Sequence, residues 1–187
     1  MATIAPFRKA LPFRTLFNIL GPLINPARPK GVVVGVAEPS LGPLFVDTLK
    51  ELGVQRAMVV CGAEHLDEIS IAGPTFTWSF LEDGEVREQC VEPSDFGLSS
   101  HPLSSVVGSS PTENAELLLS LLTPGASPIT SLSGPDPCAV LDFILINAAA
   151  LLKVAGLASS YIEGASLARE SIISGRALGA LQTLQNI

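Results

Sequence analysis

The chain has 187 residues, 47% hydrophobic and 5% aromatic, with 15 prolines, 16 glycines and a formal net charge of -7 at pH 7. That is apolar chain enough for a sizeable core and the length of one domain, while the acidic surplus excludes nucleic acid as a general partner because nothing displaces counterions from phosphates. Cys61, Cys90 and Cys138 share no C-x-x-C spacing and read as reduced, mostly buried thiols of a cytoplasmic protein.

The first predicted element lies in Leu11 to Pro26, LPFRTLFNILGPLINP. Phe13, Leu16, Phe17 and Leu20 fall at i, i+3, i+4 and i+7 and make one apolar stripe on a short helix. Pro12 suits its first position, and Gly21 with Pro22 is its stop. Arg14 and Asn18 share a neighbouring face. Either Arg14 is a solvated cation, or its guanidinium, fixed beside an amide, grips a planar carboxylate in bidentate fashion. Every residue before Glu38 is neutral or basic. A mitochondrial transit peptide shares that bias, but the motif-bearing helix lies in the same stretch, and a site for an anionic substrate accounts for the charge as well.

The Arg14 to Pro26 stretch reads R-T-x-F-N-x-L-G-P-L-x-N-P and closely resembles the signature of the anthranilate phosphoribosyltransferases, glycosyltransferases of tryptophan biosynthesis. The resemblance implies that Arg14 contacts the anthranilate carboxylate.

Gly31 to Ala37, GVVVGVA, is a β-branched run without polar alternation and predicts a buried parallel strand. Leu44, Phe45, Thr48, Leu49 and Leu52 set a helical period ending at Gly53, and Arg56 to Cys61 predicts a second buried strand. Together they form a right-handed βαβ unit. The second strand runs into Gly62-Ala63-Glu64-His65-Leu66-Asp67-Glu68-Ile69-Ser70. Loops beyond the carboxyl ends of strands are where ligands gather in open α/β sheets. Asp67 and Glu68 are hard oxygen donors suited to Mg²⁺, and equally they could be a solvated acidic loop.

Here the sequence resembles the family's G-x-x-G-L-D-E-x-S segment followed by G-P-T, through Gly62, Leu66, Asp67, Glu68, Ser70, Gly73, Pro74 and Thr75. By that resemblance Asp67 and Glu68 bind the magnesium that accompanies phosphoribosyl pyrophosphate. His65 stands where glycine is usual, which puts the backbone path into the acidic pair in question; as a lone histidine it reads as a loop residue.

Thr75 to Leu81 and Val86 to Val91 flank Glu82-Asp83-Gly84-Glu85 and predict a peripheral hairpin. Glu92 to Leu98 resembles the family's P-E-D-F-G-L and reads as a packing motif. Ser99 to Ser110 is polar and irregular, with His101 lacking evident partners. Ser110-Pro111-Thr112-Glu113 is a capping box opening a helix to Leu122. Asp136 with Pro137 opens a helix to about Ala155, whose LINAAALL resembles the family's L-N-A-A-A-x-L and reads as core packing. Ser160 with Glu163 caps the next helix, and Arg176 to Leu184 forms the last. The longest apolar run, Phe143 to Leu152, contains Asn147 and is bounded by Asp142 and Lys153, too short and polar to span a bilayer.

The expected fold class is α/β, a mostly parallel sheet with flanking helices preceded by a short helical segment. Residues 1–30 would be a remnant of the family's helical domain and 31–187 the α/β domain. The family's G-T-G-G-D loop, N-x-S-T and K-H-G-N-R segments do not occur in these 187 residues. The resemblance therefore implies transfer of phosphoribosyl to anthranilate with Mg²⁺, impaired in this stretch alone, with no membrane partner and a homodimer weakened where the helical domain is reduced. The alternatives are a catalytically silent α/β interaction module and a pyrimidine nucleoside phosphorylase-like protein.

Overall fold

In the computed structural model residues 20–126 and 134–186 are described. Arg14 and nearly all of the expected first helix lie outside them. The chain enters through a 3-10 turn over Gly21–Ile24, closed by the Leu23 and Ile24 amides on the Leu20 carbonyl.

Four strands follow: β1 (Gly31–Gly35), β2 (Arg56–Gly62), β3 (Thr75–Phe80) and β4 (Arg87–Val91). Helix α1 (Gly42–Glu51) connects β1 to β2, and α2 (Pro111–Leu122), α3 (Pro137–Val154), α4 (Tyr161–Ile173) and α5 (Arg176–Gln185) come after the sheet. The βαβ reading holds, since β1 and β2 pair in parallel with Gly35 opposite Val60.

The sheet as a whole is mixed rather than mostly parallel. Its order is β1-β2-β3-β4, and both β2–β3 and β3–β4 are antiparallel. The hairpin is thus peripheral only at β4. Strand β3 is inserted beside β2 because its residues Thr75, Thr77, Trp78 and Phe80 are buried, whereas the β4 pattern is buried only at Val91.

Period-two alternation divides β2 between two cores. Ala57, Val59 and Cys61 pack with Phe45, Val46 and Leu49 of α1, together with Trp78 and Phe80. Met58 and Val60 face Ile146, Ala149, Ala150 and Val154 of α3. By length and composition α3 could cross a bilayer, but its buried residues Leu145, Ile146, Ala149 and Ala150 sit in the core. Its small residues admit α4 closely: a Cβ built on Gly164 would lie 2.7 Å from the Ala149 carbonyl oxygen. The Glu92–Leu98 motif does pack, burying Phe96 against the Tyr161 ring at 4.5 Å between centroids.

Two further expectations change. His101 has a partner, its Nε2 lying 3.0 Å from Asp142 Oδ2, with Arg169 on the other Asp142 oxygen at 3.3 Å. Of the three thiols only Cys61 is buried; Cys90 and Cys138 are exposed.

Candidate functional site

The carboxyl ends of β1 and β2 carry two adjacent loops. Beyond β1, Val36 still donates to the Val60 carbonyl at 2.9 Å before the chain turns through Ala37 and Glu38. Beyond β2, the chain doubles back at once: the Gly62 amide donates to the Leu66 carbonyl at 2.8 Å, and the His65 amide to the Gly62 carbonyl at 2.9 Å.

His65 closes this turn at φ 62°, the left-handed region that a glycine enters without a Cβ penalty. A side chain therefore occupies a turn of the kind glycine ordinarily serves. It also gains a contact, because Nδ1 lies 3.0 Å from the Ala37 carbonyl oxygen and donates to it, with Glu38 Oε2 at 3.8 Å.

Asp67 and Glu68 come next, both solvent-exposed. The Asp67 backbone lies directly over the end of β1: a Cβ on Gly35 would fall 1.6 Å from the Asp67 carbonyl oxygen. Gly35 is required there by close approach. The next residue, Ile69, is fully buried, and Asn147 of α3 bonds both its amide and its carbonyl. Ser70 is buried too, its amide donating to Thr75 Oγ1 at 2.9 Å and its hydroxyl to Glu64 Oε1 at 3.0 Å.

The electrostatics of this end of the sheet are negative. Desolvation, and then repulsion from Asp67, raise the Glu68 pKa above the ordinary glutamate value. Burial, followed by the charges of Glu38 and Asp67, likewise pushes the Cys61 thiol up. A hard dication relieves the repulsion that Glu68 meets beside Asp67, and adjacent carboxylate oxygens are a donor set suited to Mg²⁺ shared with other ligands. No cluster of three or more His, Cys, Asp or Glu side chains suited to an ion occurs among the described residues.

A cavity of about 680 Å³ lies elsewhere, lined by Pro22, Leu23 and Pro26 after the entry turn and by Val32, Leu49 and Val54. Neither Asp67 nor Glu68 lines it. The structure thus places the acidic pair on the expected loop, while Arg14, its proposed companion, lies outside the described residues.

The sequence profile of the "Glycosyl transferase family, a/b domain" matches residues 1–178. The chain belongs to that family. Within it, this sequence is 45% identical over 187 residues to the anthranilate phosphoribosyltransferase of Schizosaccharomyces pombe, covering all of this chain and 50% of that protein. It is 40% identical over 177 residues to the enzyme of the same name from Xylella fastidiosa, covering 95% and 48%.

Among solved structures, anthranilate phosphoribosyltransferase from Saccharomyces cerevisiae in complex with PRPP and Mg superposes with a TM-score of 0.80 at 32% identity, over 97% of this chain and 49% of that one. The Thermus thermophilus enzyme gives a TM-score of 0.79 at 34% identity, over 98% and 50%. The chain spans about half the length of the curated relatives it matches.

For this member of the family, Asn147 is the residue that the sequence reading left as core packing. Its signal was present, since it is the one polar side chain within the apolar run Phe143 to Leu152.

Proposed function

We propose that this chain supplies the acceptor-orienting and metal-holding part of an anthranilate phosphoribosyltransferase, which joins the amine of anthranilate to the anomeric carbon of phosphoribosyl pyrophosphate with release of pyrophosphate. In this reading residues 1–30 are a helical segment, 31–187 the α/β domain, and the setting is cytoplasmic. Asp67 and Glu68 hold Mg²⁺, which when bound supplies neutralisation of the pyrophosphate charge. Arg14 orients anthranilate through its carboxylate.

No side chain here needs to be a nucleophile. The work of the protein is alignment: a guanidinium fixes the plane of the acceptor, and a pinned turn presents two carboxylates at the carboxyl end of the sheet. The observation that carries the reading is that turn, exposed in its side chains and immobilised in its backbone. A solvated acidic loop has no need of a buried Ile69 held through both its amide and its carbonyl.

Titration calorimetry of the chain with phosphoribosyl pyrophosphate and Mg²⁺ tests it. Binding that is abolished by Asp67→Asn with Glu68→Gln is expected; binding indifferent to both removes the metal role. Arg14→Ala should weaken anthranilate about 10- to 150-fold, the equivalent of roughly 1.5–3 kcal/mol for a charge-assisted pair. An unchanged anthranilate affinity takes Arg14 out of the site.

A further inference from the structure

We propose that Asn147 is a positioning residue for the Asp67–Glu68 pair: a single amide in the middle of α3 fixes the backbone of the acidic turn by taking both hydrogen-bonding groups of Ile69. The inference rests on the reading of Asp67 and Glu68 as magnesium ligands.

Asn147 Oδ1 accepts from the Ile69 amide at 3.0 Å, and Nδ2 donates to the Ile69 carbonyl at 3.2 Å. The same Nδ2 donates to the Phe143 carbonyl, one turn back on α3, at 3.1 Å. That third bond fixes the side chain on its own helix and sets the amide's orientation, since the flipped amide would turn its oxygen toward two carbonyls. Asn147 therefore imitates a neighbouring strand for one residue, across 78 positions of sequence.

Ile69 is fully buried, so water cannot take over these bonds, which fall on the two peptide groups flanking Ile69, the first of them joining it to Glu68. A second, indirect tie to the same helix lies two residues on, through His101. The His101 amide donates to the Ile71 carbonyl at 2.9 Å, and the His101 ring meets Asp142 of α3. Helix α3, seated in the core through Ile146, Ala149 and Ala150, is the rigid part; the turn takes its position from it. Residues that orient metal ligands act in this way, and their loss typically weakens metal affinity while leaving the ligands in place.

Only an amide offers a donor and an acceptor side by side at every pH; a carboxyl does so only when protonated. Asn147→Leu keeps the volume and removes both; an ionised Asn147→Asp keeps an acceptor for the Ile69 amide but presents a second oxygen to the Ile69 and Phe143 carbonyls. Both variants are compared with the parent chain and with Asp67→Asn/Glu68→Gln, using Mn²⁺ as probe ion in water-proton relaxation and amide hydrogen exchange at Ile69. Each is measured well below its own unfolding transition.

The expected result is Mn²⁺ affinity lowered about 10- to 100-fold in both Asn147 variants, with Ile69 amide protection lost and Val59 protection in β2 kept. An Mn²⁺ affinity equal to the parent's in Asn147→Leu, while the double carboxylate variant abolishes binding, overturns the positioning role and leaves the metal site standing. Mn²⁺ binding that is absent in the parent, or unaffected by the double variant, overturns the metal reading and this inference with it.

Discussion

Replacing Gly35 by alanine adds one methyl group where the structure has no room for it. The new Cβ would stand 1.6 Å from the Asp67 carbonyl oxygen, 2.4 Å from its carbon and 3.0 Å from its Cα. Ordinary contact begins near 3.4 Å, so strand and turn must part by about 1.8 Å. Both partners are backbone, and neither can rotate away.

On one side Gly35 is fixed in register with Val60, and on the other the turn is fixed by the Gly62–Leu66 bond and the Asn147–Ile69 pair. Overpacking of this kind costs about 1–3 kcal/mol, and a displaced turn sacrifices one or two hydrogen bonds at about 0.5–1.5 kcal/mol each. Gly35→Ala should therefore lose about 1.5–6 kcal/mol, which for a domain of this size lowers Tm by roughly 3–24 °C. Urea denaturation with unchanged m-value is the assay. Gly179→Ala in α5 is the control, since nothing lies within 4 Å of its Cβ and a helical alanine should gain about 0.5–1 kcal/mol. A Gly35→Ala chain within about 0.5 kcal/mol of the parent would refute the claim that the acidic turn rests on the end of β1.

His65 at φ 62° gives a comparison of two variants: His65→Gly should be more stable than His65→Ala by about 1 kcal/mol, because both lose the imidazole and only glycine escapes the left-handed penalty. Equal melting temperatures would contradict it. A thiol-reactive dye should label Cys90 and Cys138 in the native chain and reach Cys61 only on denaturation, since Cys61 is buried and its pKa raised; native labelling of Cys61 would show the first core to be open. Glu113 accepts from the Ser109 and Ser110 hydroxyls and the Ser110 amide, and its pKa falls from 4.5 to about 2. A carboxylate depressed on folding stabilises above its unfolded pKa and loses that contribution as pH falls through the folded one. The stability difference between the parent and Glu113→Gln should hold above pH 4.5 and shrink steadily as pH falls toward about 2, as read by thermal melts across that range; a difference that does not change between those pH values would refute the pairing.

Most elements were legible locally. Val32, Val33 and Val34 announced a strand, the α1 period stopped at Gly53, two residues past the helix end at Glu51, and Ser110 with Glu113 and Asp136 with Pro137 marked the starts of α2 and α3. Each of these signals acts over four residues or fewer, through capping bonds or side-chain periodicity. The antiparallel pairing of β3 with β2 was less visible because strand direction is set by pairing across the sheet, which leaves no mark in the residues of β3 itself. The pairing of His101 with Asp142 spans 41 positions and leaves no local mark.

The order of chemistry along the chain, from the arginine-bearing stretch through the acidic turn to the apolar helix with one amide, is a property of the sequence, and it was sufficient to identify the family. Tertiary structure decided what that order cannot express: that β1 ends beneath Asp67, that Asn147 faces Ile69 rather than solvent, and that the sheet is mixed. Local propensities are summed over neighbouring residues, whereas a turn held against a strand and a helix exists only once all three are packed, when a buried peptide must find its partners within the protein.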